Sequence, residues 1–294
     1  MELKGIFVPH VTPFDEQGEI DKEALIHLIE SWLGAGVTGL VVNSSTGEGP
    51  LISREEKWGL LELVREHVDG RGLVIAGTGA IGTRETLELT REAKDLGADA
   101  ALVTTPFFFK PTEEELFQHF VSLTESVDLP VILYNVPKFT GYTVSPRIVD
   151  RISRECSNVV GIKDSSGNLG AMAENLRLFG DRINVLSGAA DMTLPALVMG
   201  GKGAILAVAN AVPHTCVALY KAVVNGDLGE AGRLQMLLSY VNKVLVREHP
   251  QVAAVKTAIA LKGLNAGVPR RPLSPLTKEE ASEVKEALDA LNII

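Results

Sequence analysis

Cysteine is scarce in this chain, and its histidines never cluster. Cys156 and Cys216 are the only cysteines among 294 residues, and neither has a CxxC partner. This spacing excludes a disulfide framework and is typical of a reducing compartment. The six histidines are scattered, without the close pairs that hold a metal ion. We therefore expect two cysteines that serve as packing residues and no dedicated metal site.

Concentrated positive charge and long apolar runs are missing as well. The chain has 28 Lys and Arg against 37 Asp and Glu, a formal net charge of −9, and no basic run to neutralise a phosphate backbone. Its apolar runs are shorter than the roughly 18 residues of a membrane helix, and the first residues lack the apolar region of a secretory signal. The sequence predicts a cytoplasmic protein without nucleic-acid or membrane partners.

Short runs of apolar and β-branched residues recur along the chain. Each has the length of a buried parallel strand, and segments with helical periodicity lie between them. Eight such runs that alternate with helices favour a closed (β/α)8 TIM barrel over an open sheet. The runs are residues 6–11, 39–42, 73–76, 100–103, 131–134, 159–162, 183–186 and 204–208.

Helix signals continue where the strand signals stop, after about residue 224. Residues 228–262 and 277–294 have helical patterns and are joined by a stretch rich in Gly and Pro. We expect a barrel domain over residues 1–223 that carries the active site, followed by a C-terminal helical region over 224–294. Capping boxes mark two helix starts in the barrel, Ser53 with Glu56 and Thr112 with Glu115.

Reacting groups in such a barrel belong at the carboxyl ends of its strands. Lys163 directly follows the apolar run 159–162. Burial there would disfavour the charged form and supply a neutral amine that attacks a carbonyl to form a Schiff base. A lysine at a strand end could instead extend into solvent or pair with Asp164. The residues alone leave both interpretations open.

Two other strand ends carry polar side chains. Tyr134 ends the fifth run, where its phenol could transfer protons or could cap the core with its hydroxyl in water. Ser44, Ser45 and Thr46 precede Gly47 at a turn into a helix. Their hydroxyl and N–H groups suit a carboxylate, although an ordinary turn rich in Ser and Gly has the same composition.

Three segments together resemble the signature of the dihydrodipicolinate synthase / N-acetylneuraminate lyase family. They are SSTGE at 44–48, YNVP at 134–137 and GIKD at 161–164, in the family's order and spacing. Further matches extend to PLSPL at 272–276, so the resemblance covers essentially the whole chain. It implies a (β/α)8 barrel with a C-terminal helical region, class I Schiff-base chemistry on pyruvate or another 2-oxo acid, and no metal or organic cofactor.

The resemblance also implies roles for individual residues. Lys163 would condense with the 2-keto carbon, Tyr134 would shuttle protons, and Ser45 would belong to the hydroxyl relay. Ser45 and Thr46 would bind the carboxylate of the keto acid. The family further implies a homotetramer built as a dimer of dimers. The positions that would line the pocket through their backbones are Gly188 and Ile205.

Two departures from the family bear on the substrate. Synthases of the lysine pathway carry an arginine at the substrate-binding position where this chain has Phe139. That arginine binds the carboxylate of aspartate semialdehyde. In this chain Lys138 is the neighbour of Phe139. A phenyl ring there forfeits a charge-assisted contact worth roughly 1.5 to 3 kcal/mol.

The second departure is Phe108, where the family often has a tyrosine that enters the neighbouring subunit's proton relay. Residues 107–109 are all phenylalanine and could instead pack a subunit interface.

One motif indicates a different chemistry. GTGAIG at 77–82 follows a strand and satisfies GxGxxG, the pattern of dinucleotide-binding turns. It follows the third strand rather than the first, and Asp99 precedes the next strand rather than ending it. Together with the family resemblance, this placement argues against nicotinamide binding.

The sequence therefore predicts a class I lyase whose Lys163 Schiff base forms or cleaves a C–C bond between pyruvate, or a related 2-oxo acid, and an aldehyde. Because of Phe139 and Phe108 we favour a 2-oxo acid aldolase. The alternatives are 4-hydroxy-tetrahydrodipicolinate (dihydrodipicolinate) synthase, a sugar-acid dehydratase that expels water through the same iminium, and a non-catalytic barrel that binds a metabolite.

Overall fold

The computed structural model describes residues 1–291 and shows a closed barrel of eight parallel strands. The strands are β1 (Gly5–Pro9), β2 (Gly39–Val42), β3 (Leu73–Gly77), β4 (Ala100–Thr104), β5 (Val131–Asn135), β6 (Val159–Asp164), β7 (Asn184–Ser187) and β8 (Gly203–Ile205). Each strand pairs with its neighbour in chain order, and β8 closes the barrel against β1. The expected (β/α)8 architecture is confirmed.

Helices surround the barrel and continue beyond it. In the described residues they are α1 (Lys22–Gly34), α2 (Arg54–Val68), α3 (Thr83–Asp95), α4 (Glu113–Ser126), α5 (Pro137–Thr140), α6 (Pro146–Glu155), α7 (Leu169–Phe179), α8 (Thr193–Val198), α9 (Pro213–Val224), α10 (Leu228–Asn242), α11 (Gln251–Leu261) and α12 (Lys278–Asp289). Both predicted capping boxes form, at the starts of α2 and α4. Each satisfies backbone N–H groups that the first helical turn leaves without partners.

An extra residue in β6 decides which way its side chains point. Val159 packs among the helices outside the barrel, and the register with β5 shifts directly after it, so that Val160 is one residue in excess. Side chains alternate between the two faces of a strand, and one extra residue reverses the alternation that follows. Lys163 consequently lies opposite Tyr134, which belongs to the cluster inside the barrel. If β6 ran regularly through Val160, with no register shift, Lys163 would pair with Asn135 and face the helices.

The C-terminal region differs from the sequence expectation in one respect. In place of a single helical stretch over 228–262, the structure has α10, a π-helical segment at Lys243–Glu248, and then α11. Pro250 lies at the break, where its missing N–H and its ring prevent an α-helix from continuing. Residues 292–294 of the expected last helix lie outside the described residues.

The C-terminal helices pack back onto the barrel. α10 contacts α9 and the short turn Ala190–Met192 after β7, while α11 contacts the turn Ala207–Asn210 after β8. One hydrophobic cluster includes residues from both parts of the chain. The domain boundary at residues 223 and 224 therefore stays a prediction, but the packing brings the C-terminal region to the carboxyl ends of the strands.

A buried ion pair fixes the C-terminal region to the loop after β2. The Lys256 ammonium donates to Glu48 Oε1 at 2.6 Å and to the carbonyl oxygen of Val268 at 2.7 Å. The backbone N–H of Arg270 donates to the other carboxylate oxygen of Glu48 at 2.7 Å. Both charged side chains are buried, so each depends on the other for neutralisation.

Two glycines of the GTGAIG stretch, Gly77 and Gly79, have a packing role, whereas a Cβ at Gly82 would meet nothing within 4 Å. A Cβ at Gly79 would lie 2.3 Å from the backbone nitrogen of Thr104 in β4. A Cβ at Gly77 would lie 2.5 Å from the carbonyl oxygen of Asn43. Only glycine permits backbones to approach so closely. The spacing of these glycines is therefore explained by contacts between neighbouring strands and loops.

Both cysteines are buried free thiols, as expected of packing residues. Within residues 1–291, no helix combines the length and apolarity needed to cross a bilayer. In the same part of the chain, no three His, Cys, Asp or Glu side chains lie together as metal ligands would.

Replacing Lys256 by Met would leave the Glu48 carboxylate buried without its partner. We expect Lys256→Met to lower the free energy of unfolding by about 3 to 5 kcal/mol, the usual cost of breaking a buried pair. Equilibrium urea unfolding at one fixed protein concentration measures this change. Lys285→Met is the control, because Lys285 pairs with Asp289 on the exposed side of α12 and should contribute less than about 1 kcal/mol. Equal effects of the two substitutions would contradict the stabilising role of the buried pair.

Candidate active site

The carboxyl ends of the strands open into a cavity of about 370 Å³. Seven of the positions named from the sequence line this one cavity, although they come from different strand ends and loops, whereas Ser44 is buried outside the lining. The C-terminal region completes the wall. The sequence-predicted residues in the lining are Ser45, Thr46, Tyr134, Phe139, Lys163, Gly188 and Ile205.

Lys163 is held inside the mouth of the barrel. It is 3% exposed, and its Nζ lies 4.2 Å from the centroid of the Tyr134 ring. The carboxylate of the next residue, Asp164, is occupied elsewhere, since it accepts hydrogen bonds from the side-chain amides of Asn135 at 3.1 Å and Asn175 at 3.0 Å. Neither a solvated lysine nor a pair with Asp164 fits this geometry. The amine instead faces the cavity.

Tyr134 is buried beside the amine, and its surroundings alter its acidity. Burial by itself raises the pKa of a phenol. Here the positive charge of Lys163, together with the polar side chains of Ser45 and Ser165, stabilises the phenolate, outweighs burial and lowers the pKa of Tyr134 below its usual value. A phenol with a lowered pKa gives up its proton more readily at ordinary pH, which favours the first transfer in a proton relay.

Gly188 allows the loop after β7 to lie against the end of β6. A Cβ at this position would lie 1.9 Å from the hydroxyl oxygen of Ser165. The backbone N–H of Gly188 donates to the carbonyl oxygen of Asp164 at 2.8 Å. A larger residue would displace Ser165, whose hydroxyl is one of those that act on Tyr134. The other predicted lining position, Ile205, is buried in the cluster inside the barrel.

The turn after β2 presents two hydroxyl side chains to the same cavity. Thr46 is buried and Ser45 is half-buried. Gln251, at the start of α11, donates from its side-chain amide to the Thr46 hydroxyl at 3.3 Å. A Cβ at Gly47 would lie 2.6 Å from the carbonyl oxygen of His10, so the turn needs glycine there. The arrangement has the hydrogen-bonding groups of a carboxylate site, and that role stays a prediction.

The two phenylalanines that depart from the family pattern lie in different places. Phe139, in α5, is 51% exposed and forms part of the cavity wall. Phe108 is 82% exposed and packs edge to face against Phe109, with 5.1 Å between ring centroids. In the described residues, Tyr134 is the one phenol that lines the cavity.

The sequence did not reveal the part of the cavity wall that the C-terminal region supplies. It also gave Lys138 no role of its own beside Phe139. These residues belong to no local motif, and only tertiary packing brings them to the strand ends. Pro250, which interrupts the helical pattern, was the one signal that the chain turns there. The C-terminal lining residues are Asn242, Val246, Arg247 and Gln251.

Comparison with known proteins identifies close relatives over the full chain. The family model described as the dihydrodipicolinate synthetase family matches residues 2–291. A 4-hydroxy-tetrahydrodipicolinate synthase from Methanothrix thermoacetophila is 38% identical over 99% of this chain and 97% of its own. The crystal structure of a dihydrodipicolinate synthase from Thermotoga maritima has a TM-score of 0.96 at 34% identity, with 100% of both chains covered. A prophage protein of the same family from E. coli K12, crystallised with pyruvate, has a TM-score of 0.95 at 33% identity, with 99% of both chains covered.

Replacing Lys163 by Met would remove the positive charge beside Tyr134. We expect Lys163→Met to raise the pKa of Tyr134, because the phenolate loses the cation that stabilises it. Ultraviolet titration of tyrosinate measures this pKa, and subtraction of a Tyr134→Phe titration isolates the signal. Lys138→Met removes a charge from the outer wall and should shift the pKa less. An unchanged pKa in Lys163→Met would show that the ammonium does not control the phenol.

Proposed function

This chain belongs to the dihydrodipicolinate synthetase family, a family of Schiff-base-forming enzymes, and from this premise we propose that Lys163 condenses with pyruvate as the first step of catalysis. The observation that carries the proposal is the buried amine of Lys163, which faces a cavity beside the phenol of Tyr134. The pyruvate complex of the E. coli K12 family member supports pyruvate as the 2-oxo acid.

The chemistry begins when the Lys163 ammonium, the charged form that acts on Tyr134, gives up a proton and becomes a neutral, nucleophilic amine. Nζ of Lys163 attacks C2 of pyruvate, a C–N bond forms, and the carbonyl oxygen leaves as water. The resulting iminium withdraws electrons from C3, so that loss of a C3 proton gives an enamine. The enamine carbon attacks the carbonyl carbon of an aldehyde, a C–C bond forms, and hydrolysis of the iminium releases the product and the free amine. The reverse sequence cleaves the same bond.

The neighbouring residues have complementary roles in this proposal. Tyr134 takes and returns protons, and Ser45 completes the hydroxyl relay. Ser45 and Thr46 hold the carboxylate of the keto acid through their hydroxyl and backbone N–H groups. Gly188 and Ile205 bound the space beside the keto acid through their backbones. No metal or organic cofactor takes part in these steps.

For the aldehyde, the comparisons support the synthase better than the 2-oxo acid aldolase that the sequence favoured. The Methanothrix thermoacetophila relative is named a 4-hydroxy-tetrahydrodipicolinate synthase and matches this chain over nearly its whole length. The Thermotoga maritima neighbour is likewise a dihydrodipicolinate synthase. We therefore propose aspartate semialdehyde as the second substrate.

The presence of Phe139 favours a second candidate function. It occupies the cavity wall where the lysine-pathway synthases place an arginine, and a phenyl ring offers no hydrogen bond to a carboxylate. A 2-oxo acid aldolase acting on another aldehyde is therefore the second candidate. A sugar-acid dehydratase would use the same iminium to expel water. The non-catalytic barrel finds no support, because the family consists of enzymes.

We also propose that the protein acts in the cytoplasm as a homotetramer. Phe108 and Phe109 form an exposed aromatic pair of the kind that subunit interfaces bury. The two free thiols are compatible with a reducing compartment. The implied partners are small molecules, a 2-oxo acid and an aldehyde, together with further copies of the chain.

Borohydride reduction in the presence of pyruvate tests the proposed Schiff base. We expect a stable pyruvate adduct on Lys163, because reduction converts the iminium into an amine that survives peptide mass spectrometry. Lys163→Met should give no adduct, whereas Lys138→Met should keep the adduct on Lys163. Absence of an adduct from every lysine of the native protein, with pyruvate and with a panel of other 2-oxo acids, would overturn the proposed function.

Product analysis identifies the aldehyde. We expect the largest kcat/KM with pyruvate and aspartate semialdehyde, compared with pyruvate and glyoxylate or glyceraldehyde, when each product is identified by mass spectrometry. A larger kcat/KM with a different aldehyde would replace the synthase by the aldolase. Loss of water from a sugar acid, without any C–C bond formation, would support the dehydratase instead.

A further inference from the structure

The charge of the cavity wall is unbalanced. Three basic side chains line it, from Lys138, Lys163 and Arg247, and among the described residues no acidic side chain lines it. The Schiff-base proposal uses Lys163 and leaves the other two cations without a role. A wall of this kind attracts anions, because like-charged groups lining a cleft concentrate ligands of the opposite charge. Pyruvate carries only one carboxylate.

Arg247 reaches the cavity from the C-terminal region. It lies in the π-helical segment Lys243–Glu248, a rare type of helix that is frequent at functional sites. One of its terminal nitrogens donates to the carboxylate of Asp191, in the turn after β7. A guanidinium has five N–H donors, and Asp191 is its one hydrogen-bond partner among residues 1–291. The side chain is 58% exposed, so its remaining donors are accessible to a ligand.

Lys138 joins Arg247 on the same side of the cavity. Its ammonium lies 3.4 Å from the carbonyl oxygen of Val246, the residue before Arg247. It also lies 5.7 Å from the centroid of the Phe139 ring. The Lys138 ammonium therefore lies between Phe139, where the arginine of the lysine-pathway synthases is missing, and the backbone of the segment that carries Arg247, and both cations line the same cavity.

We propose that Arg247, together with Lys138, forms an anion subsite that binds the carboxylate of the aldehyde substrate. The proposal rests on the proposed function, because it assigns the second substrate of the Lys163 Schiff base. Arg247 is the principal residue, since a guanidinium binds a carboxylate through two parallel hydrogen bonds and an ammonium acts as a point charge. Asp191 is a positioning residue that holds the guanidinium at the cavity wall.

A purely structural role for Arg247 is the competing explanation. Exposed ion pairs contribute little to stability, and a pair between Arg247 and Asp191 needs no place in a cavity lining. The structural role predicts equal effects of substitution on all substrates. The anion subsite predicts effects that depend on the charge of the aldehyde. The two explanations therefore differ in a measurable ratio.

The test compares charged and uncharged aldehydes in the native enzyme and in Arg247→Gln. The charged aldehydes are aspartate semialdehyde, succinic semialdehyde and glyoxylate, and the neutral ones are glyceraldehyde and glycolaldehyde. We expect Arg247→Gln to lower kcat/KM by about tenfold for the charged set, mainly through KM, as loss of one charge-assisted contact at a partly exposed site predicts. The neutral set and the KM for pyruvate should change less than about twofold.

Two further variants separate the charge from its position. Phe139→Arg in the Arg247→Gln background should restore most of the lost kcat/KM for charged aldehydes, because it returns a guanidinium to the same end of the cavity. Arg233→Gln is the matched control, since Arg233 forms an exposed pair with Glu230 in α10 and is not part of the cavity wall. It should leave both sets of aldehydes unchanged.

Equal losses for charged and neutral aldehydes in Arg247→Gln would overturn the subsite, and so would a native enzyme that prefers neutral aldehydes. Calorimetric binding of succinate needs no catalysis, and we expect a Kd about tenfold weaker in Arg247→Gln than in the native protein. Equal succinate affinity would also overturn the subsite. Failure of the Schiff-base function is detected separately, by the absence of a pyruvate adduct on native Lys163.

Discussion

A single extra residue in β6 is the constraint on which the rest of the site depends. Val160 interrupts the alternation of side chains, and from that point β6 presents Lys163 to the inside of the barrel instead of to the helices. The same register shift brings Lys163 opposite Tyr134. The amine is thereby removed from bulk water and placed 4.2 Å from an aromatic ring whose hydroxyl it makes more acidic. The proposed amine chemistry and proton transfer both depend on this local irregularity of the sheet.

The second constraint joins the two parts of the chain. Glu48 belongs to the turn that carries Ser45 and Thr46, and its buried carboxylate binds Lys256 and the backbone of Arg270. A buried ion pair contributes little net stability compared with apolar packing, but removal of one partner is costly. Its effect is therefore geometric, because it ties the hydroxyl-bearing turn to the helices that bring Gln251 and Arg247 to the cavity. The barrel supplies the proposed reacting groups, and the C-terminal region contributes to the wall around them.

Much of this structure could be predicted from the sequence, for identifiable physical reasons. A strand buried on both faces appears as a short apolar run, and eight such runs between capped helices specify the barrel. Lys163 was recognisable because it directly follows such a run, and Tyr134 because it ends one. The inward orientation of Lys163 was not readable from periodicity, since the register shift at Val160 breaks the alternation that periodicity assumes. Arg247 was missed because its contacts with Asp191 and the cavity join residues that are distant in sequence.

The names of the relatives and the residues of the cavity wall indicate different aldehyde substrates. An identity of 38% over nearly the whole chain is ample to preserve a fold. Substrate choice depends on far fewer contacts, because a charge-assisted hydrogen bond worth about 1.5 to 3 kcal/mol changes affinity roughly 10- to 100-fold. Phe139 removes such a contact from α5, and Arg247 places a guanidinium at the same cavity from another element. A carboxylate responds to the position and charge of the donor rather than to its place in the sequence. A site of this kind can therefore keep a preference for anionic aldehydes while losing the sequence motif by which that preference is usually recognised.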